Sequence, residues 1–170
     1  MRRTAANLAF MIVMFAVQNC IFPFVPFISV SPNLMLVLTF SYGFIYGPGE
    51  GIFYGLAAGL LLDLFYSGAF GFFSLFFMWI GYMNGRLSAY YYENYITLPL
   101  FLCTLNEFLY NLYVYLFRFL IRGKWHFLFY LRTIIVPEII MTLLVTLLIY
   151  RFFLWYNRKL EALDRKKAVN

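Results

Sequence analysis

Charge is what this chain has least of: Asp, Glu, Lys and Arg make up 12% of its 170 residues, against 64% hydrophobic residues. With a mean hydropathy of +0.80, that scarcity excludes a single soluble core, whose surface could not be covered with polar groups, and reads as an integral membrane protein. Histidine is scarcer still. His126 stands alone, without a Cys or acidic neighbour at metal-ligand spacing, so neither a metal centre nor a Ser/His/Asp set has residues to build on. No GxxxxGK loop is present to cradle phosphates, and no two carboxylates sit at metal-ligand spacing on one helix. No cofactor and no enzymatic activity are therefore expected. The two cysteines, Cys20 and Cys103, both fall in apolar stretches and read as packing residues instead of a disulfide. No small-residue cleavage site follows the first apolar run, which makes it a retained span. No basic face with interleaved aromatics marks a nucleic-acid surface.

What is abundant is aromatic: 22 Phe and 15 Tyr, suited to lipid and to the headgroup belt. The net charge of +6 is concentrated at the ends, in Arg2 and Arg3 and then in Arg158, Lys159, Arg165, Lys166 and Lys167. This is a positive-inside pattern with both termini cytoplasmic, hence an even number of spans. The expectation is an all-α, polytopic membrane helix bundle of about six transmembrane helices. It forms one domain over residues 1–156, followed by a charged cytoplasmic tail at 157–170. The spans are read as about Ala5 to Phe22, a second opened by "SPNLMLVL", Gly51 to Phe65, Phe70 to Leu87, Leu98 to Leu120 and Leu131 to Trp155. Ser31 is the expected N-cap of the second span, with Pro32 at its first helical position. "GPGE" reads as a tight turn, and Pro137 as a helix start or a kink. The outer side receives the basic loop from Arg122 to Arg132, read as snorkelling to membrane lipid or as a patch for an acidic partner.

Gly51, Gly55 and Gly59 recur every four residues, forming one smooth strip on which another helix backbone can approach closely. Replacement there by Ala is expected to be tolerated far better than replacement by Leu. Asp63 continues the spacing. It is read either as reaching interfacial water or the amides of the "SGAFG" turn, or as a specific contact with a neighbouring helix or subunit. Glu107, Asn111 and Arg118 share a face, lying within about 40° of one another at 100° per residue, and read as an intramembrane polar network. Glu138, directly after Pro137, reads as a first-turn acid stabilised by free amides and the helix dipole.

The series "SPNLMLVL", "YGPGEG", "GLAAGLLLDLFYSGAFG" and "GYMNGRL" resembles the rod-shape-determining membrane protein family MreD, in order and spacing over about residues 31 to 87. Its turn and motif positions here are Pro32, Asn33, Gly47, Pro48, Gly68, Gly71, Gly81, Gly85 and Arg86. The resemblance implies a non-enzymatic scaffold of the bacterial plasma (inner) membrane that helps organise lateral peptidoglycan synthesis. It further implies binding to an MreC-like single-span periplasmic protein, and indirectly to MreB, a polytopic glycosyltransferase and a penicillin-binding transpeptidase. The alternative reading is a substrate-binding membrane subunit of an energy-coupling-factor vitamin transporter, holding its ligand with Asp63, Asn106, Glu107 and Asn111.

Overall fold

The computed structural model describes residues 2–24, 30–66, 70–88, 97–120 and 127–148. Gly68, Arg122, Lys124 and the tail from residue 157 lie outside that set. Among the described residues there are six helices and no strand: α1 (Arg2–Cys20), α2 (Leu34–Tyr46), α3 (Pro48–Tyr66), α4 (Phe72–Leu87), α5 (Thr97–Tyr115) and α6 (Phe127–Leu148). A short 3-10 turn, Phe22–Phe24, follows α1, and α5 runs on through a π-turn at Leu116–Leu120.

At the centre is α2, which is apolar all round and buried at every residue from Leu34 to Phe44. Burying the start of a helix requires partners for amides that have none within it. Here Asn33 is the N-cap: its side-chain oxygen accepts from the Leu36 amide at 3.2 Å, and Gln18 of α1 accepts from the Met35 amide at 3.2 Å. The Asn33 amide itself donates to the Thr142 hydroxyl on α6 at 3.1 Å. The cap is thus Asn33 and not Ser31, because a carboxamide two residues further on reaches the orphan amide and leaves Pro32 outside the helix.

The turn between α2 and α3 shrinks to one residue. Gly47 takes φ 91° and closes α2 with its amide on the Gly43 carbonyl, and Pro48 opens α3, where its missing donor costs nothing. The "GPGE" turn is therefore mostly helix.

Proline acts differently in α6, which does not begin at Pro137. The helix runs through it, because the turn before it, Leu131–Ile135, is π-wound. The Val136 amide reaches back five residues to the Leu131 carbonyl, a widened turn that absorbs the proline's missing donor and the bulk of its ring. Glu138 consequently lies inside a helix, and its reading as a first-turn acid is corrected.

Polarity is distributed as lipid demands. Large apolar side chains stand exposed on α5 (Phe101, Leu105, Phe108) and on α6 (Leu128, Val136, Ile140, Leu144, Leu148), while Asn7, Asn33, Asp63, Ser74, Asn84, Asn106, Glu107, Asn111, Thr142 and Thr146 are buried. Water would reverse that arrangement; a hydrocarbon surround favours it. Two helical stretches are long and apolar enough to cross a membrane by themselves, Pro99–Phe119 (mean hydropathy 1.3) and Phe127–Leu148 (mean hydropathy 2.0).

Candidate functional site

The glycines of α3 meet α4. A methyl group placed on Gly51, Gly55 or Gly59 would fall closer than 3.0 Å to the backbone of Gly81, Phe77 or Ser74 respectively. Gly85 packs in the same way against Pro48. The two helices run antiparallel in a register that matches 48, 51, 55 and 59 with 85, 81, 77 and 74. Backbones this close leave no space for side chains between them, which is the small-residue mode of helix packing in membranes. Gly43 of α2 joins at the same level, so that α2, α3 and α4 converge on Gly43, Gly51 and Gly81. The sequence reading singled out Gly51 and Gly81 and missed Gly43, although it extends the four-residue spacing of Gly47, Gly51, Gly55 and Gly59 back into the preceding helix.

Asp63 lies at the far end of this seam and is 3% exposed. Gly71, in the left-handed conformation at φ 95°, is the N-cap of α4 and has no side chain with which to cap. Asp63 supplies the missing acceptor from the neighbouring helix. One carboxylate oxygen accepts from the Phe73 amide at 2.8 Å; the other accepts from the Gly71 and Ser74 amides at 3.0 Å each and from the Ser74 hydroxyl at 2.5 Å. Its charge also faces the positive end of the α4 dipole. This explains how a carboxylate is tolerated at this depth: it meets one amide of the "SGAFG" turn, that of Gly71, and three donors on Phe73 and Ser74 of the neighbouring helix α4.

The same end carries a complementary cation. Arg118, in the π-turn that ends α5, donates to the Tyr66 carbonyl at the C-terminus of α3 at 2.8 Å and lies over the rings of Phe72 and Phe73. A guanidinium there satisfies a terminal carbonyl and favours the negative end of α3. Arg118 therefore bonds to the α3–α4 corner instead of joining Glu107 and Asn111. At the opposite end Arg3 pairs with Glu50 in the first turn of α3 and stacks on Tyr46, 4.6 Å from the ring centroid. Arg86 is exposed and bonds Tyr82 at 3.1 Å.

Between these ends runs a line of buried amides and acids. Asn84 of α4 and Asn106 of α5 exchange two hydrogen bonds, at 3.1 and 3.0 Å, forming a reciprocal amide pair. Next to it Glu107 is 0% exposed, and the Asn111 amide donates to its backbone carbonyl at 3.2 Å. Glu138 of α6 places its carboxyl beside both Glu107 and the Asn111 side chain. On the neighbouring turn the Cys103 sulfur lies 3.4 Å from the Thr146 hydroxyl, which donates to the Thr142 carbonyl. Sequence spacing placed Glu107 and Asn111 together; their partner Glu138 was hidden by Pro137, whose π-turn is not readable from a periodic pattern.

Among the described residues no group of three His, Cys, Asp or Glu side chains could hold a metal ion. What the arrangement does chemically is hold helices: it caps, pairs and closes backbone groups that lipid cannot satisfy.

No curated protein and no solved structure matches the chain, and the vitamin-transporter reading finds no support there. The family model described as rod shape-determining protein MreD matches residues 1–160. With the glycine register, the capped Pro-Asn entry to α2 and the Asp63 clasp falling on the positions of the resemblance, the chain belongs to the MreD family of rod shape-determining membrane proteins.

Proposed function

We propose that the chain is a non-enzymatic, multi-pass scaffold of the bacterial inner membrane, with six spans and both termini cytoplasmic. In this reading it binds an MreC-like single-span periplasmic protein and so helps organise lateral peptidoglycan synthesis. MreB, the glycosyltransferase and the transpeptidase are reached through that partner. The family match over residues 1–160 carries the reading.

Two features of the bundle fit a scaffold. The α2–α3–α4 unit is closed by backbone contact along a glycine register, a rigid mount that changes shape little. Its buried polar groups are used to fix helix ends and helix pairs: Asn33 for α2, Asp63 for α4, Asn84 with Asn106 for α4 and α5.

The test is replacement in a rod-shaped bacterium depleted of its own MreD-family protein. Expression of this chain is expected to restore rods, and Gly55→Leu, which forces α3 from α4, is expected not to. Cells that stay round although the chain reaches the membrane at normal level would overturn the reading.

A further inference from the structure

Glu107 is the least satisfied polar group among the described residues. Both of its carboxylate oxygens are buried and neither has a hydrogen-bond donor. The side chain that faces it across the α5–α6 interface is another carboxyl, that of Glu138. Two ionised carboxylates are acceptors only, so this contact is not a hydrogen bond unless a proton is added. Left ionised, the pair would place two like charges against each other in a medium that stabilises neither.

No donor reaches either carboxylate oxygen of Glu107, and the nearby amides and the Thr146 hydroxyl bond elsewhere. The Asn84 and Asn106 amides bond each other, and the Thr146 hydroxyl donates to the Thr142 carbonyl. Asn111 donates to the Glu107 backbone and reaches Glu138. The titratable groups that face the pair are Cys103 and Tyr110 on α5 and Tyr130 on α6. Arg118, a cation near those two tyrosines, bonds the Tyr66 carbonyl and does not face the pair. No charged residue occurs in α2, and the Arg86 side chain of α4 is turned to Tyr82. Among the described residues no third acidic, Cys or His ligand joins the two glutamates to make a metal site. What the site lacks is one donor between two facing oxygens, and a single proton supplies it.

We propose that Glu107 and Glu138 form a proton-binding pair at membrane depth, one proton bridging the two carboxyl groups and tying α5 to α6. The proton turns one carboxyl into a donor and leaves the pair one negative charge, toward which the Asn111 amide is placed to donate. The bridge does not depend on the scaffold reading and forms in the isolated chain.

Infrared spectroscopy of the full chain in phosphatidylethanolamine–phosphatidylglycerol vesicles at neutral pH tests it. The expected spectrum contains the carbonyl stretch of one protonated carboxyl group per chain, shifted when glutamate carries a carbon-13 carboxyl. Because the proton is shared, Glu107→Gln and Glu138→Gln should each abolish the band. Each amide supplies the N–H donor that the proton supplied, so both variants should keep the helix content of the parent. Absence of the band in the parent chain overturns the proposal whatever the variants do. So does a band that does not shift with glutamate labelling, or one that persists in Glu138→Gln, which would make Glu107 a solitary neutral acid.

Discussion

Asp63 is a cap that α3 lends to α4, and removing it leaves three amides and a hydroxyl without their acceptor. Asp63→Ala should lower unfolding free energy by about 2 kcal/mol, measured by denaturant titration in detergent micelles. Asp63→Asn should fall between the two, since its amide keeps one acceptor oxygen but turns donors toward donors. The glycines give a second prediction, which sets a cost on the Ala replacement that is expected to be tolerated better than Leu. Because the atoms opposite Gly55 are backbone, even a methyl group must separate the helices, and Gly55→Ala should cost about 1–3 kcal/mol. Gly49, in the same helix with nothing within 4 Å of an added methyl, is the control. Gly49→Ala should stabilise by about 0.5–1 kcal/mol. The spacing of the glycines was legible because four-residue repeats map directly onto one helix face. What lay opposite them was not, since a strip of small residues looks alike whether it meets a side chain, a carbonyl or another chain.

At the level of helices, polar side chains act in pairs whose members are distant in sequence. The Asn84–Asn106 amide pair ties α4 to α5; Asn84→Leu leaves the buried Asn106 amide with oxygen and nitrogen unmet, and Asn106→Leu leaves the Asn84 oxygen unmet while its nitrogen keeps the Ile80 carbonyl. A double-mutant cycle, read by thermal unfolding, should show a coupling of about 0.6–1.7 kcal/mol, with the double variant nearly as stable as the better single. Independent, additive losses would show that the amides bond elsewhere. Helix existence and type were readable from apolar runs and Gly–Pro punctuation, and all six helices stand where such runs occur. The starts of α2 and α6 were not readable. At α2, Ser31 and Asn33 are both competent caps, and only the Thr142 and Gln18 partners decide between them. At α6, proline ordinarily stops a helix, and a π-turn that accommodates it leaves no mark in hydrophobic periodicity.

At the scale of the whole molecule, the buried-polar, exposed-apolar arrangement of the described residues fits lipid as the solvent, and the proposed orientation rests on the basic ends. A cysteine reporter appended after Asn170 should be protected from a membrane-impermeant thiol reagent in intact cells and become labelled only after permeabilisation. Labelling in intact cells would contradict an even number of spans with cytoplasmic termini. Membership of the family was legible over residues 31 to 87 because the turn and cap residues Asn33, Gly47, Pro48 and Gly71 each fulfil a backbone requirement that few other residues meet. The acid pair of Glu107 and Glu138 was not, because its members sit on different helices with a long interval between them. The central claim, a scaffold that acts by holding a partner, is tested most directly by purifying the tagged full chain from its native membranes in mild detergent and identifying what accompanies it. The account predicts an MreC-like single-span protein in stoichiometric yield, lost in Gly55→Leu. Recovery of the intact, folded chain with no such protein, from cells that express it, would contradict the account.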